Sequence, residues 1–574
     1  MTTDQNYQQI YRVGGMLDAG FVGQITYTIS LDQVYDALDI HFSFDKRLYS
    51  ESDVTPELID RLQTLCTAKY DAPTYPVEEF RQTILHEMKT EIHTMAELND
   101  DFIGCIHRQL TDRHMLYTKE FTSDGCLAQD TFSGVLKVTV LVFNVLLDNT
   151  QYTLTVSGHP VGQGVIAPNF NLMDTVKTAA GNAGASNAAG SADNSCDAES
   201  APASAAATAG DSSTTGSSSA GNTVTASTRF KRLELHNHTV ESDGNLTCQE
   251  LTEYLAADHV DAFAITDHNT TSGQKKIEQL LEEKHYPISL IRGMEYTTYF
   301  GHILCLNLAK YVPWNSIDQH RPELLFEAAR EKGALVGIAH PFSYGDPFAR
   351  GCRFEMTVSD YSKVDFIEIF NNPESLHEVN ERGTNLWMSL IFSGYQITAT
   401  SGMDLHNRAK LAGCYATYIE GKNGGNIASE LDTAIHTHRT WVSKGALLLT
   451  EVLPETNELL LTFTDAHKTG FFVPKTAQVV LKGKDKTFTT SVSLDKPVCV
   501  SLNQLSGTDP IIPLLYEAPG INGAATVSNS AHVAALTSCG SAADTSSAAG
   551  QLKEIDALPA IEGLLCVSPV LYRD

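Results

Sequence analysis

The stretch LELHNHTVESD, residues 233–243, carries an alternating apolar run into two histidines one residue apart, with an aspartate five residues beyond the second. Residues i and i+2 of an extended chain point to the same side, so His236 and His238 aim both imidazoles at one point while Asn237 turns away. Two neutral imidazoles at a strand end are donors for a divalent cation. Alone the pattern means little, because a chain with 20 histidines reaches such a spacing by chance. Its weight depends on what the other apolar runs end in.

They end in donors too. AFAIT runs into Asp267 and His268, ISLIRGM delivers Glu295, ALVGIA delivers His340, and ITATSGM delivers Asp404 with His406 beyond it. GHILCL is the exception, since His302 stands at its start. Helical patterns separate these runs: Thr247 and Glu250 make a capping box ahead of LTEYLAADH, and Gly333 follows PELLFEAAREK as a helix stop. Short apolar runs alternating with helices imply parallel strands joined by crossovers. In a (β/α) barrel the strand C-termini form one rim, where donors distant in sequence meet. Carboxylates with neutral imidazoles suit Zn²⁺, Mn²⁺ or Fe²⁺, and a bridging glutamate can hold two such ions.

Each residue also has a plainer reading. Asp267 suits a helix N-cap, and His340 a turn before Pro341. Arg292 and Arg408 could meet a phosphate, but arginines near a site are often only surface residues, and neither is placed in the catalytic set. His285, His320, His436 and His438 lack the strand-end context and are expected to be solvated. The ordered recurrence of donors within about 170 residues is what the plain readings do not explain.

A chain of 574 residues exceeds the roughly 250–300 that one hydrophobic core supports, so several domains are expected. The N-terminus, MTTDQNYQQIYRVGG, lacks a secretory pattern, and the longest apolar run, VLKVTVLVFNVLL at 135–147, is short and β-branched for a membrane helix. A cytoplasmic location without membrane attachment follows as the expectation. Eleven cysteines without a CxxC pair read as reduced, buried thiols. The formal charge of −29 repels polyanions, so no stable nucleic-acid binding is expected, and an anionic substrate needs a locally positive pocket.

Composition divides the chain. Residues 174–227 are mostly Ala, Gly, Ser, Thr, Asn and Asp and predict a disordered linker, and 521–550 predict a disordered loop. The ordered blocks are then 1–173, 228–445 and 446–574. In the first, GQITYTISL, LDIHFSFD, GVLKVTVLVFNVLLD and QYTLTVSG read as strands. PELIDRLQTLCTAKY and the long run 76–114 read as helical, giving a β-rich domain with a helical insertion. The last block, with ELLLTFTDA, AQVVLKGK, KTFTTSVSL and PVCVSL, reads as a small β-sandwich. Neither flank shows a chemical motif.

Taken in order, HNH with SDG, ITDHN, GMEYTTYFGH, AHP, EIFNN and SGMDLH resemble the PHP (polymerase and histidinol phosphatase) superfamily, in particular its CehA/McbA-like branch, over roughly 230–418. The final VSPVLY is similar to a strand closing the β domain of that branch. The resemblance implies an α/β fold with a distorted (β/α)7 barrel and two or three divalent ions per chain. Carried over, it places one ion on His236, His238, Glu295 and Asp404, a second on Glu295, His302 and His340, and a third on Asp243, His268 and His406. It makes Glu295 the bridging ligand and Asp267 a candidate orienter or proton shuttle beside His268.

The reaction implied is metal-assisted hydrolysis. Three dications against Asp243, Glu295 and Asp404 leave a local charge of roughly +3, which favours a small anionic substrate such as a nucleotide or sugar phosphate. Hydrolysis of a carbamate or amide, as the CehA/McbA likeness suggests, is the alternative within the same metal chemistry. A non-catalytic protein stabilised by its metals is the other, and a polymerase-associated nuclease is minor because neither polymerase sequence nor a basic channel is present.

Overall fold

The computed structural model describes residues 7–45, 48–70, 74–146, 148–162, 228–371, 378–466, 473–507, 509–518, 548–549, 552–555 and 558–572. The linker expected over 174–227, nearly all of the loop expected over 521–550, and Asn372 of EIFNN lie outside them. The fold is mixed α/β, with large sheets and few helices. Among the described residues, no helix is long and apolar enough to cross a membrane.

The N-terminal sheet has seven strands: β1 (Gln8–Leu17), β2 (Gly23–Phe44), β3 (Glu91–Leu98), β4 (Asp101–Ile106), β5 (Asp112–Tyr117), β6 (Phe132–Asn144) and β7 (Thr150–Pro160). Their order is β1-β7-β2-β6-β3-β4, with β5 also on β2. Helices Pro56–Tyr70 and Val77–Glu87 lie between β2 and β3. The helical reading of 76–114 therefore holds only to Glu87. Beyond it, EIHTMAEL and DFIGCI form a hairpin in which Leu98 pairs with Asp101. Asn99 and Asp100 turn it with φ of 53° and 70°, the two left-handed residues a tight hairpin needs. β3 is buried on both faces although its sequence sets Ile92, Ala96 and Leu98 against Glu91, His93 and Glu97.

The middle block forms a ring. β8 (Thr228–Glu234), β9 (Ala262–Ile265), β10 (Ser289–Thr298), β11 (Gly301–Leu306), β12 (Leu335–Ile338), β13 (Phe366–Asn371) and β14 (Thr398–Gly402) pair in sequence order. The path returns on itself, since the Leu405 N–H donates to the His236 carbonyl (3.1 Å) and the His238 N–H donates to that of Leu405 (2.9 Å). Leu233, Ala264, Ile291, Leu304, Leu335 and Phe366, from successive strands, meet in one buried cluster. The expected capping box is present at Thr247 and Glu250 ahead of Cys248–Ala257, and Gly333 (φ 81°) follows the helix Glu323–Arg330.

Alternation of strand and helix breaks at one place. β10 and β11 form an antiparallel hairpin, and β11 is also antiparallel to β12, whereas the β8–β9, β9–β10, β12–β13 and β13–β14 pairs are parallel. A reversed strand begins where its parallel neighbours end. His302 at the start of GHILCL thus lies on the same rim as the donors at the ends of the other runs.

The flanks join the ring directly. β15 (Ala416–Lys422) pairs with β8 and with β16 (Thr440–Ser443), and β16 pairs with Leu564–Val567. Hydrogen bonding thus continues across the expected break at 445/446, through Ile512–Glu517 and Thr476–Lys482, to Thr487–Ser493. A separate four-stranded sheet led by Ala446–Leu453 and Glu458–Asp465 covers one face, with Leu447, Leu461 and Phe463 packed on Val479, Leu481 and Leu515. The N-terminal sheet packs on the other flank, where Met95, Cys105, Leu141 and Phe143 share a core with Tyr296, Tyr299, Ile303 and Trp314.

Candidate metal centre

Glu295, on β10, is fully buried at the centre of the rim. Its Oε2 lies 3.2 Å from His236 Nε2, 3.4 Å from His238 Nε2 and 2.9 Å from His268 Nδ1. Its Oε1 lies 3.0 Å from His302 Nδ1 and 3.1 Å from His340 Nε2. Asp404 adds a second carboxylate, with Oδ1 3.4 Å from His236 Nε2 and 3.0 Å from His238 Nε2. Asp243 anchors the far side, with Oδ1 3.3 Å from His406 Nε2 and 3.6 Å from His268 Nε2. All nine residues expected to carry metal are therefore brought together.

The donors fit divalent cations. His236 Nε2, His238 Nε2, Glu295 Oε2 and Asp404 Oδ1 are all buried without an aligned hydrogen-bond partner, yet they form one group within 4.8 Å. Donors about 2.0–2.1 Å from a tetrahedral ion stand roughly 3.3 Å apart, which matches the separations above. His238, Asp243, His268 and His406 form a second such group, and His268, Glu295 and His302 a third.

Burial alone would push the Glu295 carboxyl up, but His236, His302 and His268 outweigh it and hold the group well below the usual carboxylate range. Burial, with His268 and His406 nearby, holds the His238 imidazole well below its ordinary value and therefore neutral, the form that donates a lone pair. Burial also opposes charge on His406, but Asp243 and Asp404 raise its pKa to about 10.

The backbone is shaped to suit. His340 and Asp404 have φ of 23° and 48°, sparsely populated for non-glycine residues and held here by the strand ends that precede them. Gly402 allows β14 to approach β8, since a Cβ there would lie 2.4 Å from His236 Cβ and 2.6 Å from Glu368 Oε1. Asp267 does not face the donors. Its Oδ1 accepts from Thr239 N and Ser242 Oγ (both 2.7 Å) and its Oδ2 from Thr239 Oγ1 (2.8 Å), which fastens the loop leading to Asp243. Arg292 pairs with Glu278, and Arg408 lies over the Tyr254 ring.

Sequence reasoning missed two sets of residues. Glu368, inside EIFNN on β13, contacts His236 Nδ1 through both oxygens (3.1 and 3.2 Å) and accepts from the His340 N–H (3.1 Å) and Asn371 Nδ2 (3.0 Å). Unlike most of the donors it sits inside its strand, third of the six residues of FIEIFN, so the strand-end signal did not mark it. The second set comes from the N-terminal sheet. His107, just past β4, places Nε2 3.4 Å from Asp243 Oδ2 and stacks on His268 with centroids 4.1 Å apart. Arg108 donates to the Gly244 carbonyl. From the middle block, the buried Glu241 reaches across to accept from Gly125 N (3.0 Å) of the N-terminal block, and also pairs with Lys276 and accepts from Ser272 Oγ (2.6 Å).

Comparison with known proteins gives partial matches. A family of unknown function, DUF6669, matches residues 7–160. An uncharacterised protein of Methanocaldococcus jannaschii is 30% identical over 112 residues, 20% of this chain and 58% of that protein. A 5'-3' exoribonuclease of Haemophilus influenzae is 36% identical over 141 residues, 23% of this chain and 50% of that protein. The chain thus spans about half the length of these curated relatives. Among solved structures, a two-domain protein from Bacteroides vulgatus, described as containing a PHP-like metal-dependent phosphoesterase, aligns with a TM-score of 0.31 at 14% identity, covering 50% of this chain and 90% of that one.

Proposed function

We propose that the chain is a metal-dependent hydrolase of the PHP type that cleaves a phosphoester in a small anionic substrate, a nucleotide or a sugar phosphate. One observation carries this reading: donors from separate strand ends converge on Glu295, and four of them, His236 Nε2, His238 Nε2, Glu295 Oε2 and Asp404 Oδ1, are buried without a hydrogen-bond partner. The proposed ligand sets are His236, His238, Glu295 and Asp404; Glu295, His302 and His340; and Asp243, His268 and His406. Two or three ions of the Mn, Zn or Fe class, when bound there, polarise the scissile group and acidify an attacking water.

The chain's own residues prepare that chemistry. Glu295 divides its two oxygens between opposite sides of the rim, as a shared ligand must. Glu368 fixes the His236 ring so that Nε2 faces the centre. Asp267 sets the loop that carries Asp243, a positioning role in place of direct proton transfer. Asp243, Asp404 and His406 are the partly exposed members of the set, so substrate approaches from their side. The same reading takes the ring as a distorted (β/α)7 barrel of CehA/McbA-like lineage, treats 1–173, 228–445 and 446–574 as units, and places the protein in the cytoplasm.

Two competing substrates follow from particular observations. The Haemophilus relative is named a 5'-3' exoribonuclease, which favours an RNA degraded from its 5' end. The resemblance of the motifs to the CehA/McbA branch favours a carbamate or amide. The test is a panel of nucleotides, sugar phosphates, phosphodiesters, 5'-phosphorylated oligoribonucleotides and aryl carbamates, assayed with Mn²⁺, Zn²⁺ or Fe²⁺ before and after chelation. Chelator-sensitive release of phosphate from the small esters is expected. Turnover of carbamates alone would overturn the phosphoester reading, and chelation that melts the protein with no hydrolysis of any substrate would make the ions structural.

A further inference from the structure

We propose that Glu91, His93 and His107, all from the N-terminal sheet, form an additional binding site for a divalent first-row transition ion. β3 is extended, so Glu91 and His93, two residues apart, face the same way. His107 follows β4, the hairpin partner of β3. All three are buried, and one ligand atom from each lies within 4.8 Å of the others.

A network of hydrogen bonds does not account for this cluster. His93 Nε2 lies 3.2 Å from Glu91 Oε1 and 2.7 Å from Gln109 Nε2. One ring nitrogen can donate to the carboxylate or accept from the amide, but not both. Turning the amide over does not help: two acceptor oxygens then share a single hydrogen, and the bond from Gln109 Nε2 to the His107 carbonyl (3.0 Å) becomes a contact between two acceptors. A cation in place of that hydrogen takes lone pairs from the ring nitrogen and the carboxylate together. The imbalance extends further: His93 Nδ1, His107 Nδ1 and Gln109 Oε1 are buried without a hydrogen-bond partner. Two imidazoles with one carboxylate select a transition ion over Mg²⁺ or Ca²⁺, which favour all-oxygen shells.

The site is separate from the ring centre yet adjoins it. None of the ring's donor groups includes Glu91, His93 or His107. Through His107, which touches Asp243 and stacks on His268, an ion here would hold the N-terminal sheet against the rim. The proposal does not depend on the reaction proposed above.

Zinc content per full-length chain, measured by mass spectrometry after reconstitution with Zn²⁺ and gel filtration, tests it. The double variant Glu91→Gln/His93→Asn is expected to hold one ion fewer than the wild type. Asp404→Asn should lose ions of the ring but keep the one that the double variant loses, and combining the changes should lose both. An unchanged zinc count in the folded double variant overturns the proposal. If that variant does not fold, the near-isosteric Glu91→Gln is titrated with Co²⁺, where one saturable absorption step should weaken at least tenfold. An isotherm identical to that of the wild type overturns the proposal equally.

Discussion

Replacing Glu368 by glutamine changes almost no volume and removes one charge from beneath the His236 ring. Glu368 is 2% exposed and serves three donors: His236 Nδ1, the His340 N–H and Asn371 Nδ2. When His236 Nε2 binds an ion, Nδ1 carries the hydrogen and donates to the carboxylate. A carboxamide has one oxygen for three donors, and its NH₂ group must face one of them. A hydrogen bond to a charged acceptor contributes about 1.5–3 kcal/mol and a neutral one about 0.5–1.5, so the substitution weakens the hold on His236 by about 1–3 kcal/mol. That is about 10- to 100-fold in metal affinity, the range typical for the residues that orient metal-binding histidines. Competition with a chromophoric chelator reads the dissociation constant for Zn²⁺ or Mn²⁺ directly, and thermal melting of the metal-free protein separates lost orientation from lost folding. Affinity within twofold of the wild type would refute Glu368 as the residue that aims His236.

Other perturbations have equally definite outcomes. Gly402→Ala places a Cβ against the His236 backbone N at 3.0 Å and Glu368 Oε1 at 2.6 Å, so β14 must shift, costing about 1–3 kcal/mol, and metal content should fall with it. Burial raises the pKa of Asp267 from its ordinary 3.8 to about 6, even against the hydrogen bonds from Thr239 and Ser242. The folded protein then holds this proton more tightly than the unfolded chain, and the resulting stability, about 3 kcal/mol, is present below pH 4 and lost as pH rises through 6. Urea unfolding of metal-free protein from pH 4.5 to 7 should show this slope, and Asp267→Asn should flatten it; equal slopes would refute the assignment. Lys276→Ala leaves Glu241 buried with only Gly125 N and Ser272 Oγ, and because Lys276 is 40% exposed the loss should be about 1–2 kcal/mol in the same unfolding assay.

The ring was legible because its signals are local. Histidines two apart, donors at the ends of short apolar runs and the Thr247 capping box each need only a few neighbouring residues to be read. His302 looked out of place because strand direction is not written in GHILCL itself. It is fixed by the short connection at Tyr299 and Phe300, which leaves no length for a crossover helix and forces an antiparallel return. A connection that short was in the sequence, and counting it would have placed His302 on the rim without the structure.

The N-terminal contribution was hidden for a different reason. EIHTMAEL puts Ile92, Ala96 and Leu98 in its own sheet's core and Glu91, His93 and Glu97 on the other face, which is also buried and through Met95 reaches the core shared with the ring. A strand buried on both faces resembles a helix in composition, and only the Asn99–Asp100 turn betrays the hairpin. Reading 76–114 as helix scattered Glu91, His93 and His107 over different faces and left the block without chemistry. Folded as a hairpin, the same residues stand together, and His107 among them meets Asp243 and His268. A helix-or-strand decision over eight residues therefore determines whether the first 160 residues read as a bystander or as one wall of the site.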